Sequence, residues 1–154
     1  MAIEPDIKIL QETHIDRVHN FEMDRLALEI EDEMDRNLHA WSARWRKESL
    51  EHYSSTGWSF VAFDPSDDSK VLGYFLGQAL VFFQGQTQVL WIEKLTAANQ
   101  TVEEALIEVA YRWARDKHLQ RVVFSEANAF RISLEKFKGY AVESGLWEIK
   151  TTKG

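Results

Sequence analysis

The sequence predicts an α/β (α+β) fold in a single domain, residues 1–154. Three observations favour this fold class. The first third of the chain has helical periodicity, and three β-rich runs with short turns between them follow, which is typical of an antiparallel meander. A strand-helix-strand run comes next and predicts a parallel strand pair. Together these observations predict a mixed sheet with helices on both faces.

The N-terminal part is predicted to hold one strand and two helices. The strand covers residues 7–10, and Thr13, three residues before Asp16, marks a helix start. The acidic run EIEDEMDRN separates two apolar sets and predicts a break between the helices. The first set is Ile15, Val18, Phe21, Met23, Leu26, Leu28 and Ile30, and the second is Leu38, Trp41, Trp45, Leu50 and Tyr53.

The meander is predicted over residues 58–97. WSFVAF at 58–63 is rich in aromatic and β-branched residues, and DPSDDSK after it has the chemistry of a turn. VLGYFLGQALVFF predicts a longer strand, QGQT a hairpin tip, and QVLWIEKLTA at 88–97 a further strand. Strands that follow each other through such short turns are antiparallel.

The C-terminal part is predicted to continue the sheet. Apolar residues from Val102 to Ala114 repeat at helical spacing, and RVVFSE at 121–126 predicts a strand parallel to the one before the helix. Residues 129–138 predict a second helix, and GYAVES and LWEIKT around Gly145 predict short final strands.

Composition limits the classes of function. The net charge of −7 argues against a general nucleic-acid surface, which needs clustered Lys and Arg, and favours a cationic partner. The chain has no cysteine, and no window approaches the ~18 apolar residues of a membrane span. The N-terminus has acidic residues where a signal peptide has basic ones. These features predict a soluble, cytoplasmic protein that does not act on a membrane.

The order of elements and several local motifs resemble the GNAT superfamily, the acyl-CoA-dependent N-acyltransferases. VLGYFLG is similar to the third strand of that family and LWIEKL to its fourth. ALIEVAYRWARDKHLQRVVF resembles its central helix and fifth strand, and SEAN followed by KGY resembles its closing motifs. The likeness covers nearly the whole chain.

The resemblance implies an enzyme that transfers an acetyl or acyl group from acyl-CoA to a primary amine, on a small molecule or on a protein. The pantetheine arm would lie along residues 91–97, and the diphosphate would lie near residues 99–102 at the start of the central helix. Glu93 on the fourth strand would be the general base. The cofactor-binding residues implied are Leu95, Thr96, Ala97, Asn99, Thr101, Val102 and Asn128.

The acyl-CoA motif is degenerate in this sequence. The family has a glycine-rich loop at the diphosphate, whereas no glycine occurs here between Gly85 and Gly139. TVEE has the pattern of a capping box, in which Thr101 caps the helix and Glu104 reaches back. Glu103 adds a carboxylate where the diphosphate would bind, and Glu135 stands where many members have a tyrosine. The alternative is therefore a non-catalytic protein of this fold that has lost acyl-CoA.

Other groups of residues have simpler interpretations. The acidic run is interpreted as a solvated break, with attraction of a cationic acceptor as the alternative. Trp41 and Trp45, with Leu38, are predicted to pack in the core, and the alternative is an exposed patch that binds a partner or forms a homodimer. The five histidines have no metal-binding spacing, so no metal site is predicted.

Overall fold

The computed structural model of the protein describes residues 4–82, 87–125, 130–141 and 147–152. The strands are β1 (Asp6–Ile9), β2 (Phe60–Asp64), β3 (Asp67–Phe82), β4 (Thr87–Ala97), β5 (Arg121–Phe124), β6 (Tyr140–Ala141) and β7 (Trp147–Lys150). The helices are α1 (Ile15–Glu29), α2 (Glu33–Trp41), α3 (Lys47–Ser54), α4 (Gln100–Asp116) and α5 (Arg131–Lys136), with a 3₁₀ turn at Glu12–His14.

The described strands form one mixed sheet in the order β1-β2-β3-β4-β5-β7-β6. Strands β2, β3 and β4 are an antiparallel meander, and β4 pairs with β5 in parallel. Helix α4 makes the crossover between the parallel strands, as the handedness and length rules for such connections require. The predicted fold class is confirmed.

Helices cover both faces of the sheet because the strands alternate their apolar side chains between two cores. On β2, Val61 and Phe63 pack on one face with α1 and α3, while Phe60 and Ala62 pack on the other face with α4. The core on the α4 side also contains Leu134 from α5. The sheet is therefore buried on both sides, and functional groups can only lie where the strands end or separate.

The N-terminal part contains three helices in place of the two predicted. The predicted break lies at residues 30–32, where the Asp32 side chain accepts a hydrogen bond from the Met34 N–H and starts α2. A second break follows Trp41, at residues 42–46. Because the chain leaves the helix there, Trp41 and Trp45 do not share a face. Trp45 is buried, but Trp41 and Leu38 are exposed, so their predicted place in the core is wrong.

Several predicted boundaries differ near the C-terminus. Strand β5 ends at Phe124, and α5 covers only Arg131–Lys136. Tyr140 is exposed rather than packed in the core. The predicted hairpin tip at 84–86, Glu126, Asn128 and the turn around Gly145 lie outside the described residues.

Candidate active site

Strand β4 contains a β-bulge at Glu93. In the ladder with β3, Leu76 pairs with Lys94 and Gly77 pairs with Ile92, which leaves Glu93 as the extra residue. A bulge bends its strand and redirects the side chain at that point. Opposite it, a Cβ on Gly77 would collide with the carbonyl oxygen of Trp58, so the close approach there needs glycine.

The bulge changes which side chains share a face of β4. Strict alternation predicted that Trp91, Glu93 and Leu95 lie together. Trp91 and Glu93 do lie together, since the Trp91 Nε1–H donates to Glu93 Oε2 at 2.8 Å. Leu95 packs instead with Ile92 against the α4-side core, so its predicted place is wrong. One inserted residue reverses the alternation for the rest of the strand.

The described ladder between β4 and β5 ends just before the bulge. Their last ladder pair is Ile92 with Phe124. Ser125 then makes three hydrogen bonds to β4: its N–H and its Oγ each donate to the Ile92 carbonyl at 3.1 Å, and its Oγ also donates to the Glu93 carbonyl at 2.7 Å. Strand β4 continues to Ala97, and among the described residues its positions 94–97 have no ladder partner on the β5 side. We call this segment the open edge of β4.

The Glu93 carboxylate lies at the start of the open edge, on the face covered by α1 and α3. It forms an ion pair with the Arg44 guanidinium in addition to its bond with Trp91. The Glu93 side chain is 23% exposed and that of Arg44 is 50% exposed, so solvent reaches the pair. Arg44 belongs to the non-helical segment between α2 and α3.

Two further polar groups lie near this carboxylate. The Gln78 Nε2 donates to the Tyr53 hydroxyl at 3.2 Å. Burial raises the pKa of Tyr53, the hydrogen bond from Gln78 opposes the rise, and the negative charge of Glu93 adds to it. The Glu93 carboxylate thus has a guanidinium, an indole N–H and a protonated phenol around it, of which the phenol belongs to the buried Tyr53.

At the other end of the open edge, α4 begins two residues earlier than the capping-box pattern predicts. The Asn99 side chain accepts a hydrogen bond from the Val102 N–H at 3.0 Å and is the N-cap. Thr101 therefore lies inside the first turn, and its predicted capping role is wrong. Glu104 does not reach back; it accepts from Lys136 Nζ at 2.8 Å and from Gln100 Nε2 at 3.1 Å. Asn is at least as good a cap as Thr, which explains the register.

A cavity of about 310 Å³ lies between the start of α4 and α5. It is lined by Ala97, Asn99, Gln100, Glu103, Phe130 and Ser133, among others. The N–H groups of Gln100 and Thr101, which have no partner inside a helix, form no hydrogen bond to any described residue. Two donors and the positive end of the α4 dipole therefore remain for an anion.

Among the described residues that line this cavity, Glu103 is the one carboxylate. It accepts a hydrogen bond from Ser133 Oγ at 2.6 Å, and it has no ion pair within the described part of the chain. Burial raises the pKa of Glu103, the Ser133 bond opposes the rise, and the charge of Glu104 adds to it. The proton therefore stays on Glu103 to a higher pH than on an exposed glutamate.

The other predicted cofactor residues divide between the two faces. Leu95 and Ala97 border the α4-side core, whereas Thr96 lies beside the buried Tyr74 hydroxyl on the opposite face. The Val102 side chain is buried, and its N–H is taken by Asn99. Asn128 lies outside the described residues, so its role stays a prediction.

The sequence analysis missed Arg44, Ser125 and Ser133. Arg44 lies in the basic run SARWRKE, which signals a cation but not its partner. In the described part of the chain, no group of three His, Asp or Glu side chains is placed to hold a metal ion. None of the helices described has the length and apolar character needed to span a bilayer.

No family model matches the chain, and no curated protein gives a significant match. Solved structures do match. The PaiA N-acetyltransferase from Thermoplasma acidophilum, in complex with coenzyme A, is 14% identical over 96% of this chain and 99% of its own, with a TM-score of 0.65. A GNAT-family acetyltransferase from Listeria monocytogenes is 8% identical over 95% and 94%, with a TM-score of 0.63. An agmatine N-acetyltransferase is 10% identical over 92% and 85%, with a TM-score of 0.66. The protein therefore has the fold of the GNAT acetyltransferases.

Proposed function

We propose that the protein is an N-acyltransferase that transfers an acetyl or other acyl group from acyl-CoA to a primary amine. The observation that carries this proposal is the open edge of β4, which begins at the Glu93 bulge and leads to the start of α4. The edge offers backbone hydrogen-bonding groups to an extended ligand with amide groups, such as a pantetheine arm. The agmatine N-acetyltransferase of the same fold supports an amine as acceptor.

The residues at the open edge fit the pantetheine arm of acyl-CoA. The backbone at Leu95, Thr96 and Ala97 would bind that arm, since this part of β4 has no β5 partner among the described residues. At the far end, Asn99 and the N–H groups of Gln100 and Thr101 would face the diphosphate. Glu103 opposes an anion when it is charged, but its raised pKa lessens that opposition. When bound, acyl-CoA would supply an activated thioester carbonyl.

Glu93 is proposed as the general base. Its carboxylate would attract the ammonium group and take one proton from it, directly or through water, which frees the nitrogen lone pair to attack the thioester carbonyl. As the N–C bond forms and the C–S bond breaks, the second proton lost by the nitrogen would balance the charge on the leaving thiolate. Trp91 fixes the orientation of the carboxylate through its 2.8 Å hydrogen bond. The Arg44 guanidinium occupies the position on Glu93 that an ammonium group would take, so an acceptor must displace Arg44 or bind beside it.

A specific observation favours a second candidate, a binding protein of the same fold without catalysis. Arg44 already balances the negative charge of Glu93, the proposed base, within the protein itself. Glu135, at the position of the tyrosine that many family members have, forms an exposed ion pair with Arg131 at 3.1 Å. The position from which the tyrosine of many family members protonates the leaving thiolate therefore has no phenol here.

Thermal unfolding with CoA and with acetyl-CoA separates the two candidates. A ligand at 100 times its Kd stabilises a protein by roughly 2.7 kcal/mol, a readily measured shift. Stabilisation together with thiol release in the presence of agmatine or another primary amine supports the enzyme. No shift at millimolar ligand contradicts the enzyme and supports a binding protein that has lost acyl-CoA. Stabilisation without thiol release across a panel of amines contradicts the proposed transfer and shows that the acyl-CoA site is retained.

A further inference from the structure

Helix α2 carries an apolar stripe that the rest of the described chain leaves uncovered. Met34, Leu38 and Trp41 are 71%, 61% and 78% exposed, and none of the nine residues of α2 is buried. Their spacing of four and three residues places them on one side of the helix. Large apolar side chains grouped in this way on a surface mark an interaction site more often than single exposed ones do.

Two grooves meet at Trp41. One, of about 420 Å³, is lined by Met34, Leu38 and Trp41 with Glu33 and Asn37. The other, of about 390 Å³, lies on the α1 and α3 side of the same indole and is lined by His19, Ala40, Trp41, Arg46, Lys47 and Glu48. Trp41 lines both grooves, but only the first is mainly apolar, because Arg46, Lys47 and Glu48 line the second.

The stripe is bordered by carboxylates without partners. Glu33 and Asp35 lie on its two sides, one residue before and one after Met34, which is about 100° around the helix in each direction. With Glu29 and Glu31 they are exposed, and in the described part of the chain none of these four side chains forms an ion pair or a hydrogen bond. Arg36 directs its guanidinium to the Ile30 and Glu31 carbonyls at 2.8 and 2.7 Å.

The charge and the size of the stripe limit the kinds of partner that can bind it. A second copy of the chain would bring these carboxylates against one another, in a protein of net charge −7. A nine-residue helix is also only about 14 Å long and about 10 Å wide, so one side of it offers roughly 140 Å². A standard stable interface buries roughly 800 Å² per partner. The carboxylates likewise oppose an anionic membrane surface.

We propose that the α2 stripe docks a cationic amphipathic segment of a partner protein. Its apolar side chains would fill the groove lined by Met34, Leu38 and Trp41, and its Lys or Arg side chains would pair with Glu33 and Asp35. A short helix is the segment that fits such a narrow stripe. The stripe includes neither Glu93 nor the open edge of β4, so this inference holds whether or not the protein transfers an acyl group.

The test is calorimetric titration with a synthetic helical peptide of Leu and Lys. Two matched peptides, one with Glu for Lys and one with Ser for Leu, separate the charged and apolar contributions. We expect the Leu-Lys peptide to bind, and both matched peptides to bind at least about tenfold more weakly. Trp41→Ser should weaken binding by about tenfold or more, and the pair Glu33→Gln with Asp35→Asn should weaken it and reduce its salt dependence.

Val81→Ser is the matched control, because Val81 is an apolar side chain 63% exposed on β3, away from α2. It should leave peptide binding unchanged, and circular dichroism should show that each variant folds. Equal binding of the peptide by wild type and Trp41→Ser would overturn the proposal. So would a dimer in sedimentation velocity that Trp41→Ser dissociates, since the occupant would then be a second copy.

Discussion

The two ends of the open edge of β4 each hold a glutamate, and the protein treats the two carboxylates differently. Glu93, at the bulge, receives a cation: Arg44 forms an ion pair with it, and Trp91 adds a hydrogen bond. Glu103, at the start of α4, forms no ion pair with the described residues and is instead half-buried beside Ser133. The carboxylate charge is balanced by an ion pair at one end, whereas burial disfavours the charged form at the other and raises the pKa of Glu103.

This difference matches what each end would need in an acyltransferase. A group that attracts an ammonium ion and accepts a proton should keep its negative charge, and an ion pair favours the charged form. A group beside a diphosphate should be neutral, and burial favours the neutral form. The same residue type can therefore serve opposite requirements through its environment alone, and each requirement can be tested separately.

The largest expected effect comes from Glu93→Gln. If Glu93 is the general base, the acyl-transfer rate should fall by about 10²- to 10⁴-fold, whereas the thermal shift with CoA should persist. Glu108→Gln is the matched control, because Glu108 also pairs with an arginine, Arg112, at 2.6 Å, but on the exposed side of α4. A Glu93→Gln protein with full turnover would remove this residue from the mechanism.

Glu103→Gln should act on binding rather than on rate. Removing the charge near the diphosphate should tighten CoA binding by about three- to tenfold near neutral pH. Because burial raises the pKa of Glu103, its charge is lost as the pH falls through that raised pKa. Wild-type affinity should therefore rise on acidification relative to the variant, and the two should converge. Calorimetric titration with CoA across pH measures both effects.

Ser133→Ala sharpens the same experiment. The Ser133 hydrogen bond favours the charged form of Glu103, so its removal should raise the pKa of Glu103 further. The pH at which CoA affinity changes should then move upward. A pH profile identical in wild type, Glu103→Gln and Ser133→Ala would show that Glu103 does not oppose the diphosphate.

The smallest expected effect comes from Arg44→Gln. The ion pair with Glu93 is solvent-exposed, and exposed pairs contribute roughly 0.2–1 kcal/mol. Freeing the carboxylate should therefore raise kcat/KM for a primary amine by only about two- to fivefold. Steady-state kinetics with varied amine measures this. A fall in kcat/KM would show that Arg44 positions Glu93 rather than competing with the acceptor.

Local patterns predicted the fold because each strand and helix shows its own periodicity. The meander between Phe60 and Ala97, the crossover helix and the parallel strand at Arg121 all follow from spacing within short windows. Such patterns cannot locate a bulge, because the extra residue at Glu93 is defined only by its partner on β3. The predicted face of Leu95 failed for this reason.

The site was less predictable than the fold, since its contacts join distant parts of the chain. Arg44 and Glu93 are brought together by packing of the segment after α2 against β4, which no local pattern encodes. The cap of α4 failed differently: the capping-box pattern favoured Thr101, whereas Asn99, which also has capping chemistry, makes the hydrogen bond. Trp41 was placed in the core because the second helix break was not recognised.

Ser125 has a consequence for the energetics of any ligand between β4 and β5. Its backbone and hydroxyl fasten β5 to two successive carbonyls of β4, at Ile92 and Glu93, just where the strands part. These hydrogen bonds hold β5 against β4 at the end of their described ladder before any ligand binds. A ligand at the open edge of β4 would not have to break strand pairing, so folding would already have met part of the ordering cost of binding.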